Sequence, residues 1–266
     1  MTASPVIVFA ANKGGVGKTT ISATTSHAFV LEGLRVLAID MDPQGNLTSA
    51  LGADEGEGFS EVVTVGRKLT DVVTPTECGV DLIRPGEGLS AVGQGLTTQP
   101  GGERVLARAL AAMGDDYDVV IVDTPPDLGR LTLNAVSAAS HVIAVINPAR
   151  WAAEGGATIS GLVDQVNALE LGSPIFLGAV VNKIPSGKRL VRDAVMESLQ
   201  ETDFTLLDTR IPQRTTLEQA EFVAAPVSFI EPKGKEAKLF RALAKEIAQL
   251  VWTFLDKVVV CLCWKK

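Results

Sequence analysis

The sequence predicts an α/β fold, a mostly parallel twisted sheet with helices on both faces, and three observations carry that expectation. Runs rich in Val and Ile, bounded by turn residues, recur at 5–11 (PVIVFAA), 35–40 (RVLAID), 79–85 (GVDLIRP), 117–123 (YDVVIVD), 141–147 (HVIAVIN) and 175–182 (IFLGAVVN). Short continuous apolar runs of this kind suit strands covered on both faces. Helical candidates lie between or after them at 18–32, 102–113, 130–139, 152–170, 188–200 and 235–255. Strands alternating with helices imply parallel pairing through right-handed crossovers. Finally, 46% hydrophobic against 21% charged residues in a chain of 266 is enough apolar material for a full core. The glycine-rich stretches Gly52 to Gly66 and Gly86 to Gly102 read as loops or short helical insertions. With no long linker, low-complexity tract or internal repeat, one domain is expected, over 1–250, followed by a helical tail over 251–266.

Composition narrows the class. Three cysteines, Cys78, Cys261 and Cys263, make no framework of spaced pairs, and the start has no basic segment followed by an apolar run, so a reducing cytoplasm is the expected setting. The net charge of −7 argues against a uniformly basic nucleic-acid binder. It is unevenly spread: residues 1–182 carry 10 Lys/Arg against 20 Asp/Glu, net −10, while residues 183–266 carry 14 against 11, net +3. His27 and His141 lie in no nucleophile–base pattern.

Three strings fall at predicted strand ends, where open α/β sheets place their ligands. The first is NKGGVGKTT, residues 12–20. Gly14, Gly15 and Gly17, with Val16 between them, let backbone N–H groups turn towards phosphate oxygens, and Lys18-Thr19-Thr20 opens a helix whose positive end faces the same anion. Lys18 is expected to neutralise the β and γ phosphates and the Thr19 hydroxyl to bind Mg²⁺. The ordinary pattern GxxxxGK[ST] would place glycine where Asn12 stands. The second string, DMDPQGN, supplies Asp40 and Asp42, and the third, DTPPD, supplies Asp123. A carboxylate ending a buried strand beside a phosphate loop suits Mg²⁺, and a second one suits orientation of an attacking water. Each alone reads as a turn former or helix cap. Together, in this order and spacing, they are a strong signal for a P-loop NTPase domain with a phosphate site and Mg²⁺.

KGGVGKTT with its additional lysine, DMDPQGN and VVIVDTPPDLG resemble the deviant-Walker ATPases of the ParA/MinD superfamily. The likeness continues through Glu154-Gly155 and IPQRTTLEQA to EPKGKEAKLFRALAKEI, about nine tenths of the chain. Only about a dozen residues precede the loop, so the chain looks most like the short ParA partition proteins that lack an N-terminal DNA-binding extension. The resemblance implies that Lys13 reaches across a nucleotide-sandwich homodimer to the phosphates of the other subunit, a lysine in the part of an arginine finger. It implies that Asp42 positions the hydrolytic water and that Asp40 and Asp123 serve the Mg²⁺ shell. It also places Asn182 at the adenine edge, with Pro212 at the nucleotide.

Partition ATPases of this kind bind DNA non-specifically as ATP dimers and are stimulated by a ParB-like centromere-binding protein. The residues expected to meet DNA are Lys188, Arg189, Arg192, Arg214, Lys233 and Lys235, with Lys183, Arg210, Lys238 and Arg241 as further candidates. The chain departs from the family where many relatives read IPRNVRL and it reads Ile211-Pro212-Gln213-Arg214-Thr215-Thr216-Leu217. The tail, ending Trp264-Lys265-Lys266, keeps a second reading open: an interfacial helix of the kind MinD uses on membranes. It is too short and too interrupted by Asp256 and Lys257 to span a bilayer. The other reading is that it continues the last helix and packs through Leu250, Val251, Phe254, Leu255 and Val258. A nucleotide-switched cargo scaffold and an ATP-dependent biosynthetic enzyme on the same loop are the remaining alternatives.

Overall fold

A computed structural model describes residues 4–149, 152–185, 197, 199 and 202–252. The candidate helix at 188–200, with Lys188, Arg189 and Arg192, and the tail beyond Trp252 lie outside or almost wholly outside these residues. In chain order the elements are β1 (Val6–Ala10), α1 (Lys18–Leu31), β2 (Val36–Asp40), α2 (Asn46–Ala50), α3 (Phe59–Thr64), β3 (Val73–Pro75), β4 (Asp81–Ile83), α4 (Leu89–Gly95), α5 (Val105–Met113), β5 (Val119–Asp123), α6 (Arg130–Ala138), β6 (His141–Ile146), α7 (Ala152–Ala168), β7 (Ile175–Val181), α8 (Thr215–Val223), α9 (Val227–Ile230) and α10 (Lys235–Val251). The strands form one sheet in the order β3-β4-β2-β5-β1-β6-β7, parallel throughout except for the β3–β4 pair.

Alternation along each strand builds two cores. Ile7 and Phe9 of β1, Val36 and Ala38 of β2, and Val119 and Ile121 of β5 face the layer containing α1, α8 and α10. Val8, Ala10, Leu37, Ile39, Val120 and Val122 face the layer built from α3 to α7. Because both faces are covered, the strands read as unbroken apolar runs. On α10, Ala237, Phe240, Leu243, Ala244, Ile247 and Ala248 are buried, the spacing of a one-sided amphipathic helix. That helix ends at Val251, and Trp252 meets the Phe29 ring at 6.0 Å. Leu250, expected to pack, is 50% exposed instead, because it falls on the outer side of this stripe.

Helix α1 lies between the sheet and α10 and is buried almost all round. Ser26 Oγ satisfies itself within the helix, donating to Ser22 O at 2.8 Å. His27, 4% exposed, places Nδ1 2.7 Å from Ser228 Oγ, against the Phe229 ring. Burial lowers its pKa to about 4 from an ordinary 6.5. The unfolded chain therefore binds the extra proton first, and stability is lost as pH falls from 6.5 towards 4, on the order of 2 kcal/mol. His27→Gln cannot take up that proton. The stability gap between wild type and variant, measured by denaturant titration, should therefore narrow on going from pH 7.5 to 4.5; a pH-independent gap would contradict the buried neutral imidazole.

Candidate nucleotide site

The C-terminal ends of β1, β2 and β5 meet beside the N-terminus of α1. Asp40 and Asp123 are register partners across β2 and β5, and Phe9 of β1 pairs with Asp123 on its other side. Gly15 and Gly17 have φ of 74° and 82°, which lets the loop fold back before α1 begins. A cleft of about 400 Å³ opens there, lined by Lys13, Gly14, Gly15, Val16, Gly17, Lys18, Thr19 and Thr20 together with Asp42, Gln44, Lys183 and Glu221.

Asp123 is fully buried and organises the floor. Lys18 Nζ lies 3.1 Å from its Oδ1, Ser22 Oγ donates to the same oxygen at 2.8 Å, and Thr19 Oγ1 donates to Oδ2 at 2.8 Å. A buried carboxylate needs such company, and here it receives a cation and two hydroxyls. The arrangement orients Lys18 and Thr19 from beneath the loop. A threonine hydroxyl and a carboxylate side by side are the hard oxygen donors that suit Mg²⁺, which keeps most of its shell as water and phosphate. No group of three or more His, Cys, Asp or Glu that could hold a metal ion occurs among the described residues.

Asp40 is held by the turn that follows β2. It is fully buried, its Oδ2 accepts from Thr48 N at 2.8 Å and Thr48 Oγ1 at 2.9 Å, and its Oδ1 accepts from Asp42 N at 3.1 Å. Burial, and then the charge of Asp123, raise its pKa to about 7. It clasps the turn that carries Asp42 to the cleft. Asp42 does line the cleft. Its Oδ1 accepts from Gln44 N at 3.0 Å. Burial raises its pKa, against the opposing pull of the Gln44 N–H and the Lys18 charge. A carboxylate made more basic in this way is suited to hold a water by its proton.

Two residues after β7 brace the loop from the other side. Asn182, 3% exposed, donates Nδ2 to Val16 O at 2.7 Å, which sets it behind the loop and off the cleft wall. Pro212 forms a parallel bridge with Ile184 and likewise lies outside the lining. Lys183, a DNA candidate from sequence, adopts φ 55° and donates Nζ to Gly15 O at 2.8 Å, so its charge belongs to the cleft. Lys13 lines the same cleft, is exposed, and has no hydrogen-bond or ion-pair partner among the described residues. Arg241, another DNA candidate, is held by Glu32 at 2.7 Å.

Fold and cleft together define a P-loop protein built to hold the phosphates of a nucleotide. A family model described as an AAA domain (AAA_31) matches residues 4–171. The sporulation initiation inhibitor protein Soj of Bacillus subtilis is 30% identical over 250 residues, covering 91% of this chain and 98% of Soj. The chromosome-partitioning ATPase Soj of Thermus thermophilus is 31% identical, covering 91% and 94%. The chain belongs to this AAA-domain family, as a ParA-type partition ATPase of the ParA/MinD superfamily. Among solved structures, a cobyrinic acid a,c-diamide synthase from Mycobacterium smegmatis with bound ADP and magnesium is 30% identical and superposes with a TM-score of 0.79, covering 91% of this chain and 93% of its own. The septum site-determining protein MinD from Pyrococcus horikoshii, complexed with Mg-ADP, has a TM-score of 0.76 at 24% identity, which speaks to the fold alone.

Proposed function

We propose that this chain is a Mg²⁺-dependent ATPase that closes into a dimer on ATP, binds DNA without sequence preference in that state, and is released when a ParB-like partner stimulates hydrolysis. Repeated binding and release would position a plasmid or other replicon, with the protein on the nucleoid for part of each cycle. The observation that carries the reading is the cleft itself. Its own lysine, Lys18, is anchored by Asp123, while Lys13 stands exposed at the same cleft without a partner among the described residues.

In this reading the loop N–H groups and Lys18 hold the β and γ phosphates, and Asp42 accepts a proton from the water aimed at the γ phosphorus. The water oxygen bonds to phosphorus as the bridging oxygen departs with ADP. Thr19 and Asp123 would hold Mg²⁺, which would supply positive charge beside the phosphate oxygens. Lys13 of a second subunit adds positive charge where the transferring group gathers electrons, which ties hydrolysis to dimer closure.

Support for the DNA step is the grouping of cations at one end of α10. Lys233, Lys235 and Lys238 are exposed there, and Arg214 comes within 3.9 Å of Glu236 in its first turn. Cations at a helix N-terminus add to the positive end of its dipole and serve phosphate. Gel retardation with ATP, ADP and no nucleotide, at two salt concentrations, tests this. The expected result is binding that needs ATP, weakens with salt, and is lost in Lys233→Glu/Lys235→Glu while unstimulated ATPase persists. No retardation in any nucleotide state would overturn the DNA step. ATP-dependent sedimentation with liposomes, lost on deleting residues 251–266, would then favour the membrane reading. ATP-dependent dimerisation without stimulated turnover would favour a scaffold.

A further inference from the structure

Glu221 places a carboxylate in a cleft otherwise furnished for phosphate. It lines the cleft together with Lys13, Lys18 and Lys183, and it accepts a hydrogen bond from Thr20 Oγ1. Thr20 is the third residue of α1, at the end whose N–H groups and dipole favour an anion. A hydroxyl has one proton to donate, so Thr20 cannot serve Glu221 and a nucleotide phosphate together. Repulsion between the carboxylate and a polyphosphate adds to that competition. The side chain comes from α8, where Leu217 and Ala220 are the buried residues. The two residues that follow it, Phe222 and Val223, are 93% and 60% exposed. A short helix with two buried side chains can shift when a polar latch at its C-terminal end is released.

We propose that Glu221 is a built-in competitor of the nucleotide at Thr20, and that its displacement transmits occupancy of the cleft to α8 and its exposed Phe222–Val223 pair. This rests on the nucleotide reading above and deepens it by naming the residue that opposes binding and the helix that reports it. The free carboxylate acts as a tethered anion: it fills the phosphate-binding end of α1 when nucleotide is absent, and it withdraws when phosphate arrives.

Two substitutions separate charge from contact. Glu221→Gln keeps an oxygen that accepts from Thr20 but removes the charge, and Glu221→Ala removes both. In equilibrium titrations with N-methylanthraniloyl-ADP and Mg²⁺, both variants should bind more tightly than wild type, by about five-fold, with the advantage shrinking at high salt. Hydrogen exchange over 215–223 should change in the wild type when ADP is added, and Glu221→Ala without nucleotide should already exchange like the ADP-bound wild type. If the wild type binds the nucleotide but both variants bind with the same affinity, the competition is overturned while the nucleotide reading stands. If α8 exchange is indifferent to ADP, the coupling to α8 is overturned. If the wild type fails to bind, both the inference and the reading beneath it fall.

Discussion

Lys13→Ala should lower ATP turnover by about a thousand-fold, the scale associated with a trans-acting cationic finger, while leaving nucleotide binding to the monomer within a few-fold of wild type. The three cleft lysines differ in a way that decides this. Lys18 is 3.1 Å from the Asp123 carboxylate and 6% exposed, and Lys183 is held on the Gly15 carbonyl at 2.8 Å. Both are committed to their own loop. Lys13 has no such commitment among the described residues, so its removal leaves the resident phosphate contacts in place and takes away only charge that can be delivered elsewhere. Phosphate release under saturating ATP and an equilibrium binding isotherm separate the two effects. A variant with wild-type turnover would remove Lys13 from the chemistry.

Gly17→Ala should weaken ATP binding by about a hundred-fold or more, the sum of backbone strain and a hard contact. At φ 82° any L side chain is strained. A methyl group there would also sit 2.3 Å from Asn182 Nδ2 and 3.4 Å from Lys183 Cε. Asn182 cannot yield without releasing Val16 O, so the two braces behind the loop turn one added carbon into a displaced loop. Gly17→Ala/Asn182→Ala removes the contact but not the strain, so it should recover part of the loss in an ATP titration. Wild-type affinity in Gly17→Ala would show that this loop geometry is not what holds the phosphate.

The sheet was legible because burial on both faces leaves no polar residues to break the apolar runs, and all six predicted strands are present at 6–10, 36–40, 81–83, 119–123, 141–146 and 175–181. β3 was not, because Val73–Pro75 is a three-residue antiparallel edge with half-exposed side chains and a proline, too short to show a period. Helix α8 was also missed: with Leu217 and Ala220 buried, its stretch carries almost no amphipathic signal. The cleft shows the same division. Lys13, Lys18, Thr19, Asp42 and Asp123 stand in strings whose spacing is itself the signal. Glu221 and Lys183 meet the loop from about 200 and 170 positions away, through tertiary contacts alone. For that reason Lys183 looked like one more surface cation in a basic stretch. The Asn182 brace on Val16 O and the Asp40 clasp on Thr48 were hidden in the same way, since a residue at a strand end does not declare which neighbour it holds.

The central claim, a site completed by Lys13 of a second subunit, is tested most directly by mixing two inactive variants. Asp42→Ala lacks the residue assigned to the water and Lys13→Ala lacks the donated charge. In a mixed dimer, the Lys13→Ala subunit keeps Asp42 in its own cleft and receives Lys13 from its companion. Random pairing at equal amounts makes half the dimers mixed, each with one complete site of two, so ATP turnover should return to about a quarter of the wild-type rate. A mixture as inactive as either variant alone would contradict the account and place the action of Lys13 within its own subunit.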